Sequence, residues 1–256
     1  MRTPPLPLEP AVRDPRKLRR TALILVVIMI TSAVGILYSY FKWAEKEANN
    51  ETPAFKGRIE KNFKVWRQDE SEGDFAAMDG EVYVIAPVVF SDPAGWKTTR
   101  AVLERLAKRY ADRKDFHIVS MTIDPEGESP AKLKGYAEEL GATLPQWWLC
   151  GAREESVHKF LKNNLKMEIY PHRKDGKWIY DGSLVLIDRD RHIRQATRKS
   201  SKVKRDAVVF NFEQAAAWDA EGRTAGLEEG KTNVQTLEDM LVKAVDHVLS
   251  KPVTQQ

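Results

Sequence analysis

The sequence predicts an α/β domain carried on a single N-terminal transmembrane helix. Two observations carry that prediction. Residues 21–41 run without a charge directly after a basic tail, and the rest of the chain alternates short apolar runs of strand type with segments of helical periodicity. With 256 residues, 42% apolar and 30% charged, the chain has material for one core-forming domain with an appendage, which excludes global disorder.

The charge is not spread over the chain. Residues 1–20 hold six basic side chains against two acidic ones and so account for the whole formal net charge of +4; the remainder balances. The uncharged stretch, TALILVVIMITSAVGILYSYF, would rise about 31 Å as a helix, the thickness of a bilayer's hydrocarbon core. Tyr38, Tyr40 and Trp43 stand at its C-terminal end, where amphipathic rings prefer the interface. The basic flank predicts a cytoplasmic tail (1–20), a span (21–41) and a domain outside the cytoplasm, on the inner (cytoplasmic) membrane with a periplasmic domain. A cleaved signal peptide is the rival reading. The apolar run is longer than an ordinary signal core, and SYFKWAEKEANN offers no small-x-small cleavage site, so an uncleaved anchor is expected.

Residues 42–62 are polar and read as a tether, with the domain covering 63–250. Residues 82–90 (VYVIAPVVF) form a continuous apolar run, as expected of a strand covered on both faces. Residues 97–110 place Val102, Leu103, Leu106 and Tyr110 at helical spacing, and 116–123 (FHIVSMTI) read as the next strand, closing a βαβ unit. Ser129-Pro130 opens a helix as cap and first residue, and Gly141 stops it. A short strand at 147–150, a helix at 154–165 and an extended stretch at 178–187 follow. Residues 184–187, a polar turn at 188–191 and a strand from His192 form a hairpin; the final helix carries Val234, Leu237, Leu241, Ala244, Val245 and Val248 on one face. A thioredoxin-like sheet accommodates this order. Residues 199–232, opening on the basic KSSKVKR, interrupt the path to the last helix and read as an insertion.

Several chemistries fail by counting. The single cysteine, Cys150, cannot form an intramolecular disulfide or a CxxC pair, and its apolar neighbours Trp147, Trp148 and Leu149 suit an inert buried thiol. His117, His158, His192 and His247 are isolated in sequence, and His172 stands in a polar turn. Asp124, Glu126 and Glu128 could supply a general acid and base, but an Asp-Pro turn has a structural use of its own. No metalloprotease, nucleophile-elbow or phosphate-loop motif is present, so no enzyme activity is expected. Residues 189–205 carry eight Lys or Arg against one Asp, a run suited to lipid headgroups or an acidic partner; a domain outside the cytoplasm makes nucleic acid the poorest partner.

Residues 82–193 carry a further set of landmarks in order. These are a strand ending in Phe90-Ser91, then Asp92-Pro93, the Ile123-Asp124-Pro125 turn, a helix with Leu133, Tyr136 and Ala137, the Trp147-Trp148 step, and the hairpin Leu184-Val185-Leu186-Ile187-Asp188-Arg189. With the N-terminal anchor, this segment resembles the Sco/SenC family. Its members are membrane-anchored thioredoxin-like proteins that deliver copper to cytochrome c oxidase or adjust its thiols. The resemblance implies copper as cargo, held by a Cys-Pro-x-x-Cys-Pro motif after the central strand and by a distant histidine. Here Asp92 and Trp96 occupy the two cysteine positions, and counting back from Asp188 puts Tyr180, or its neighbour Gly182, at the histidine. All three ligands are replaced, so no cofactor and no metal site are expected. Two readings follow. One is a non-metal-binding paralogue that acts by contact with another membrane or periplasmic protein, with an oxidase subunit as the partner the resemblance implies. The other is a genuine copper chaperone or thiol-disulfide oxidoreductase with atypical ligands.

Overall fold

The computed structural model describes residues 14–201, 204–223 and 230–252, and their contacts divide them between two compact units. The smaller one holds the described part of Met1–Asn50 together with Lys199–Arg205. Its main element is helix α1, Pro15–Ala48. The Asp14 carboxylate caps it, accepting the Arg16 N–H at 2.9 Å, and Pro15 takes the first position, where a missing N–H costs nothing. Its apolar side chains are exposed along the whole span, with Leu25 57% and Ile36 70% accessible, and its most apolar stretch has a mean hydropathy of 2.4. It is the one described helix long and apolar enough to cross a membrane.

The larger unit is a mixed sheet with helices on both faces. Three short strands open it: β1 (Ala54–Arg58), β2 (Lys64–Arg67) and β3 (Glu72–Asp74). A 3-10 turn, Phe75–Met78, leads into β4 (Val82–Val88), and α2 (Lys97–Arg109), β5 (Phe116–Thr122), α3 (Pro130–Leu140) and β6 (Trp147–Gly151) follow. Helix α4 (Glu154–Lys159) runs on into a π-helical turn, Phe160–Asn164. Strands β7 (His172–Lys174) and β8 (Lys177–Ile179) make a separate small hairpin. Strands β9 (Val185–Ile187), β10 (His192–Ser201) and β11 (Lys204–Val208) return to the main sheet, and α5 (Phe212–Ala220) and α6 (Asn233–Leu249) close the chain.

The strand order is β1-β10-β9-β4-β5-β6-β2-β3, with β11 paired to β10. Strands β4, β5 and β6 are parallel neighbours and β9 lies antiparallel against β4, the thioredoxin-like arrangement the sequence predicts. Every residue of β4 and β5 is buried; β4 is an unbroken apolar run, and the polar His117, Ser120 and Thr122 of β5 are hydrogen-bonded. Alternation along β4 serves two cores. Val82, Val84, Ala86 and Val88 pack with residues of α2, α3, α5 and α6, whereas Tyr83 and Ile85 pack on the opposite face with Phe75, Trp148 and Phe160. Each such Val, Ile or Phe side chain contributes about 1.5–3 kcal/mol by leaving water.

Two boundaries differ from expectation. Residues 42–62 are not a tether throughout: α1 continues to Ala48, β1 joins the sheet edge through Ala54 opposite Gln195, and Ile59 is buried. The sheet therefore begins before Phe63. The segment 199–232 contains the end of β10, then β11 and α5, and the Phe210 and Phe212 rings within it are buried in the first core. The hairpin turn at 188–191 and both ends of α3 fall as expected, with Gly141 left-handed at φ 66° beyond the last turn.

Candidate functional site

The site is built where β4 runs out. The Asp92 carbonyl accepts the Gly95 N–H at 3.1 Å and its Oδ1 accepts the same N–H at 3.3 Å, so Asp92 closes a tight turn on itself. A Cβ at position 95 would meet Asp92 Oδ2 at 2.8 Å, so a side chain there would push the exposed Asp92 carboxylate out of its turn. The Asp92 side chain is exposed. Trp96 goes the other way. Its ring is 3% accessible and meets Phe90 edge-on at 5.5 Å, while Tyr136 stacks on Phe90 at 5.3 Å. The indole Nε1 is buried with no hydrogen-bond partner.

Trp96 immediately precedes α2 and gives that helix no side-chain cap. The cap comes from α5 instead. Glu213 accepts the Thr99 N–H at 2.8 Å and the Thr98 hydroxyl at 2.9 Å, placing a carboxylate on the positive end of the helix. Tyr180 is half-buried in the same neighbourhood. Burial pushes its hydroxyl up to about 12, the negative charges of Asp92, Glu213 and Glu128 act in the same direction, and a backbone hydrogen bond with Val89 pulls the other way. The structure thus brings Asp92 and Tyr180 within electrostatic reach, while Trp96 belongs to the core on the α2 side of the sheet.

Glu128 is fully buried. It accepts the Ser91 N–H at 2.7 Å and the Thr122 hydroxyl at 2.5 Å, and Thr122 Oγ1 accepts the Asp124 N–H, so the carboxylate ties the exit of β4 to the turn after β5. Asp124 accepts the Gly127 N–H and pairs with Arg173 at 2.9 Å. These bonds give both acids structural work. The Cys150 thiol is fully buried in β6, and burial pushes it well above the ordinary thiol range, against the pull of Arg67.

Three of the histidines isolated in sequence have partners in space, whereas His247 Nε2 is buried with no hydrogen-bond partner. His158 Nε2 lies 2.8 Å from the Ile123 carbonyl, and its ring meets Tyr170 and Trp178 edge-on. His117 pairs with Glu81, and its Nδ1 lies 2.9 Å from the Pro145 carbonyl. His192 falls beside Asp188 and Asp190 in the β9–β10 turn, with ligand-type atoms within 4.8 Å of one another. There Asp188 accepts the Asp190 and His192 N–H groups and Arg194 Nε–H at 2.6 Å, a network that shapes the turn at the other end of β4.

The donor set does not fit copper. Trp96 offers an N–H and no lone pair, Tyr180 holds its proton across the physiological range, and Asp92 is one hard carboxylate already spent on its own turn. Cu(I) calls for soft thiolate or thioether ligands, and the lone thiol lies inside β6.

The sequence profile of the SCO1/SenC family matches residues 51–210, which spans β1 through Phe210 and includes every site residue except Glu213. The chain belongs to the SCO1/SenC family. The SCO1 protein homolog of Bacillus subtilis (strain 168) is 20% identical over 157 residues, covering 60% of this chain and 81% of that protein. A SCO1/SenC family lipoprotein from Bacillus anthracis str. Ames superposes with a TM-score of 0.56 at 17% identity, over 78% of this chain and 99% of that one. BsSco, described as a member of the Sco family of cytochrome c oxidase assembly proteins and as carrying a disulfide switch, superposes with a TM-score of 0.52 at 17% identity, over 79% and 99%. Sequence reasoning placed Asp92 and Trp96 just after β4, and both lie between β4 and α2. It missed Glu213, which lies 114 residues from the amide it caps and carries no local signal.

Proposed function

We propose that this chain is a single-pass membrane member of the SCO1/SenC family that works by protein contact, without carrying copper on ligands of its own, in the assembly of a respiratory oxidase. The observation that carries the reading is Trp96, a buried indole at the second motif position, beside a helix end already neutralised by Glu213. A thiolate at that position would draw on the dipole of α2 for stabilisation; Glu213 now holds that place. The description of BsSco supports oxidase assembly as the process. The exposed apolar α1 and the basic residues before it support an anchor with its N-terminus cytoplasmic and its domain on the other side.

Deletion of the gene tests the functional half. Oxidase activity should fall in the deletion strain, stay low under added copper, and return with a copy carrying Asp92→Ala. Rescue of the deletion by copper alone would contradict the contact reading. Protease protection in spheroplasts tests the anchor: the domain should be cut from outside, and a mature chain beginning beyond Phe41 would contradict an uncleaved span.

A further inference from the structure

The basic run after β10 finds its place beside the anchor. Lys199, near the end of β10, and Lys204 and Arg205, at the start of β11, belong to the same compact unit as α1, and Lys199 Nζ donates to Asn49 Oδ1 at 3.1 Å at the helix's C-terminal cap. Lys199 and Lys204 are exposed, and Arg205 is half-buried. No acidic residue lies within 199–205, whereas the last turns of α1 carry Lys42 and Lys46 against Glu45 and Glu47 and are neutral as a group.

Position along α1 sets the depth of this charge. The apolar span ends at Phe41, and Asn49 lies eight residues further on, about 12 Å along a straight helix and less if it tilts. The headgroup layer extends roughly 5–8 Å beyond the hydrocarbon on each side. A cation tethered at Asn49 is therefore within one Debye length, about 8–10 Å, of the phosphate plane. Tyr38, Tyr40 and Trp43 fix the helix at the interface and limit how far it can slide.

We propose that the end of β10 and the start of β11, through Lys199, Lys204 and Arg205, dock on anionic phospholipid headgroups of the leaflet that α1 enters from the domain side. The inference rests on the reading of α1 as a membrane span. Basic side chains at that depth lower their energy by neutralising lipid phosphates.

The test uses the full chain with Ser201→Cys, labelled with an environment-sensitive dye, in nanodiscs of phosphatidylcholine alone or with phosphatidylglycerol. Cys150 stays unlabelled because it is buried. Quenching of the dye by headgroup-labelled lipid should be about threefold stronger in the anionic discs. It should fall to the neutral level in high salt, and equally in the Lys199→Gln, Lys204→Gln, Arg205→Gln variant. The salt arm needs no mutation and so does not depend on the variant's folding. Quenching that ignores lipid charge and salt, with the chain still incorporated, overturns the docking. A response to an added acidic protein but not to anionic lipid overturns it equally. Failure of the chain to incorporate into discs of either composition overturns the span itself, and the two failures are thereby distinguished.

Discussion

Glu213 accepts the backbone N–H of Thr99 at 2.8 Å, so a carboxylate from α5 stands on the first turn of α2. The residue just before that helix is Trp96, which offers no thiolate. Trp96 and a fixed negative charge thus meet at the same helix end. Rebuilding the family's ligands therefore has to contend with that charge. The triple variant Asp92→Cys, Trp96→Cys, Tyr180→His should bind copper weakly, and adding Glu213→Gln should tighten it by lowering the new thiol's pKa. Circular dichroism should precede the copper measurement, to show that each variant folds. Equal affinity in the two folded variants would show that Glu213 does not govern this position.

Glu213→Gln alone removes a charged cap. The cost should be about 1 kcal/mol, read as a lower urea midpoint at unchanged slope. No change in midpoint would mean that water replaces the carboxylate at Thr99 without loss.

Trp96→Ala should be far more damaging, by about 3–5 kcal/mol, because the ring packs against Phe90 in the first core. Trp96→Phe should recover most of that stability, since Nε1 has no partner to lose. If alanine were tolerated as well as phenylalanine, the ring would not be filling the site.

The strands and helices that bury most area were legible because their signals are local. The apolar runs of β4 and β5, the Ser129-Pro130 start and Gly141 stop of α3, and the apolar stripe of α6 all lie within a few residues of the structure they specify. Strands β1, β2 and β3 were not legible. They are three to five residues long, polar, and near the sheet's edges, so their stability comes from partners such as Gln195 and Cys150 that sequence order does not reveal. The same applies at the site. Asp92 and Trp96 could be placed by counting from β4, but the Glu128 bond to Ser91 spans 37 residues, and its Thr122 partner had no separate signal.

Titration of Tyr180 gives a pH test. Its hydroxyl is raised in the folded chain to about 12, above the ordinary value of 10.0, so the folded state holds the proton more tightly. Its contribution is fully present below pH 10 and is lost as pH rises towards 12. Tyr180→Phe should make the loss of stability over that interval shallower. Identical alkaline unfolding profiles would contradict the burial of the Tyr180 hydroxyl, the main cause of its raised value.

At the acid end Asp115 behaves oppositely. Burial raises it, but hydrogen bonds from Arg113 and Arg189 outweigh that and bring it down to about 2, below the ordinary 3.8. Its contribution is present above pH 4 and is lost as pH falls towards 2. Asp115→Asn should flatten acid unfolding in that window. Arg189 also bonds the Gly80, Leu249 and Lys251 carbonyls, so Arg189→Met should cost about 2–3 kcal/mol, visible as a lower Tm.

Copper retention by the purified full chain tests the central claim most directly. The chain, loaded with Cu(I) or Cu(II) and dialysed against a competing chelator, should keep far less than one equivalent and show no thiolate-to-copper charge-transfer band. One equivalent retained, with or without Cys150, would contradict the account.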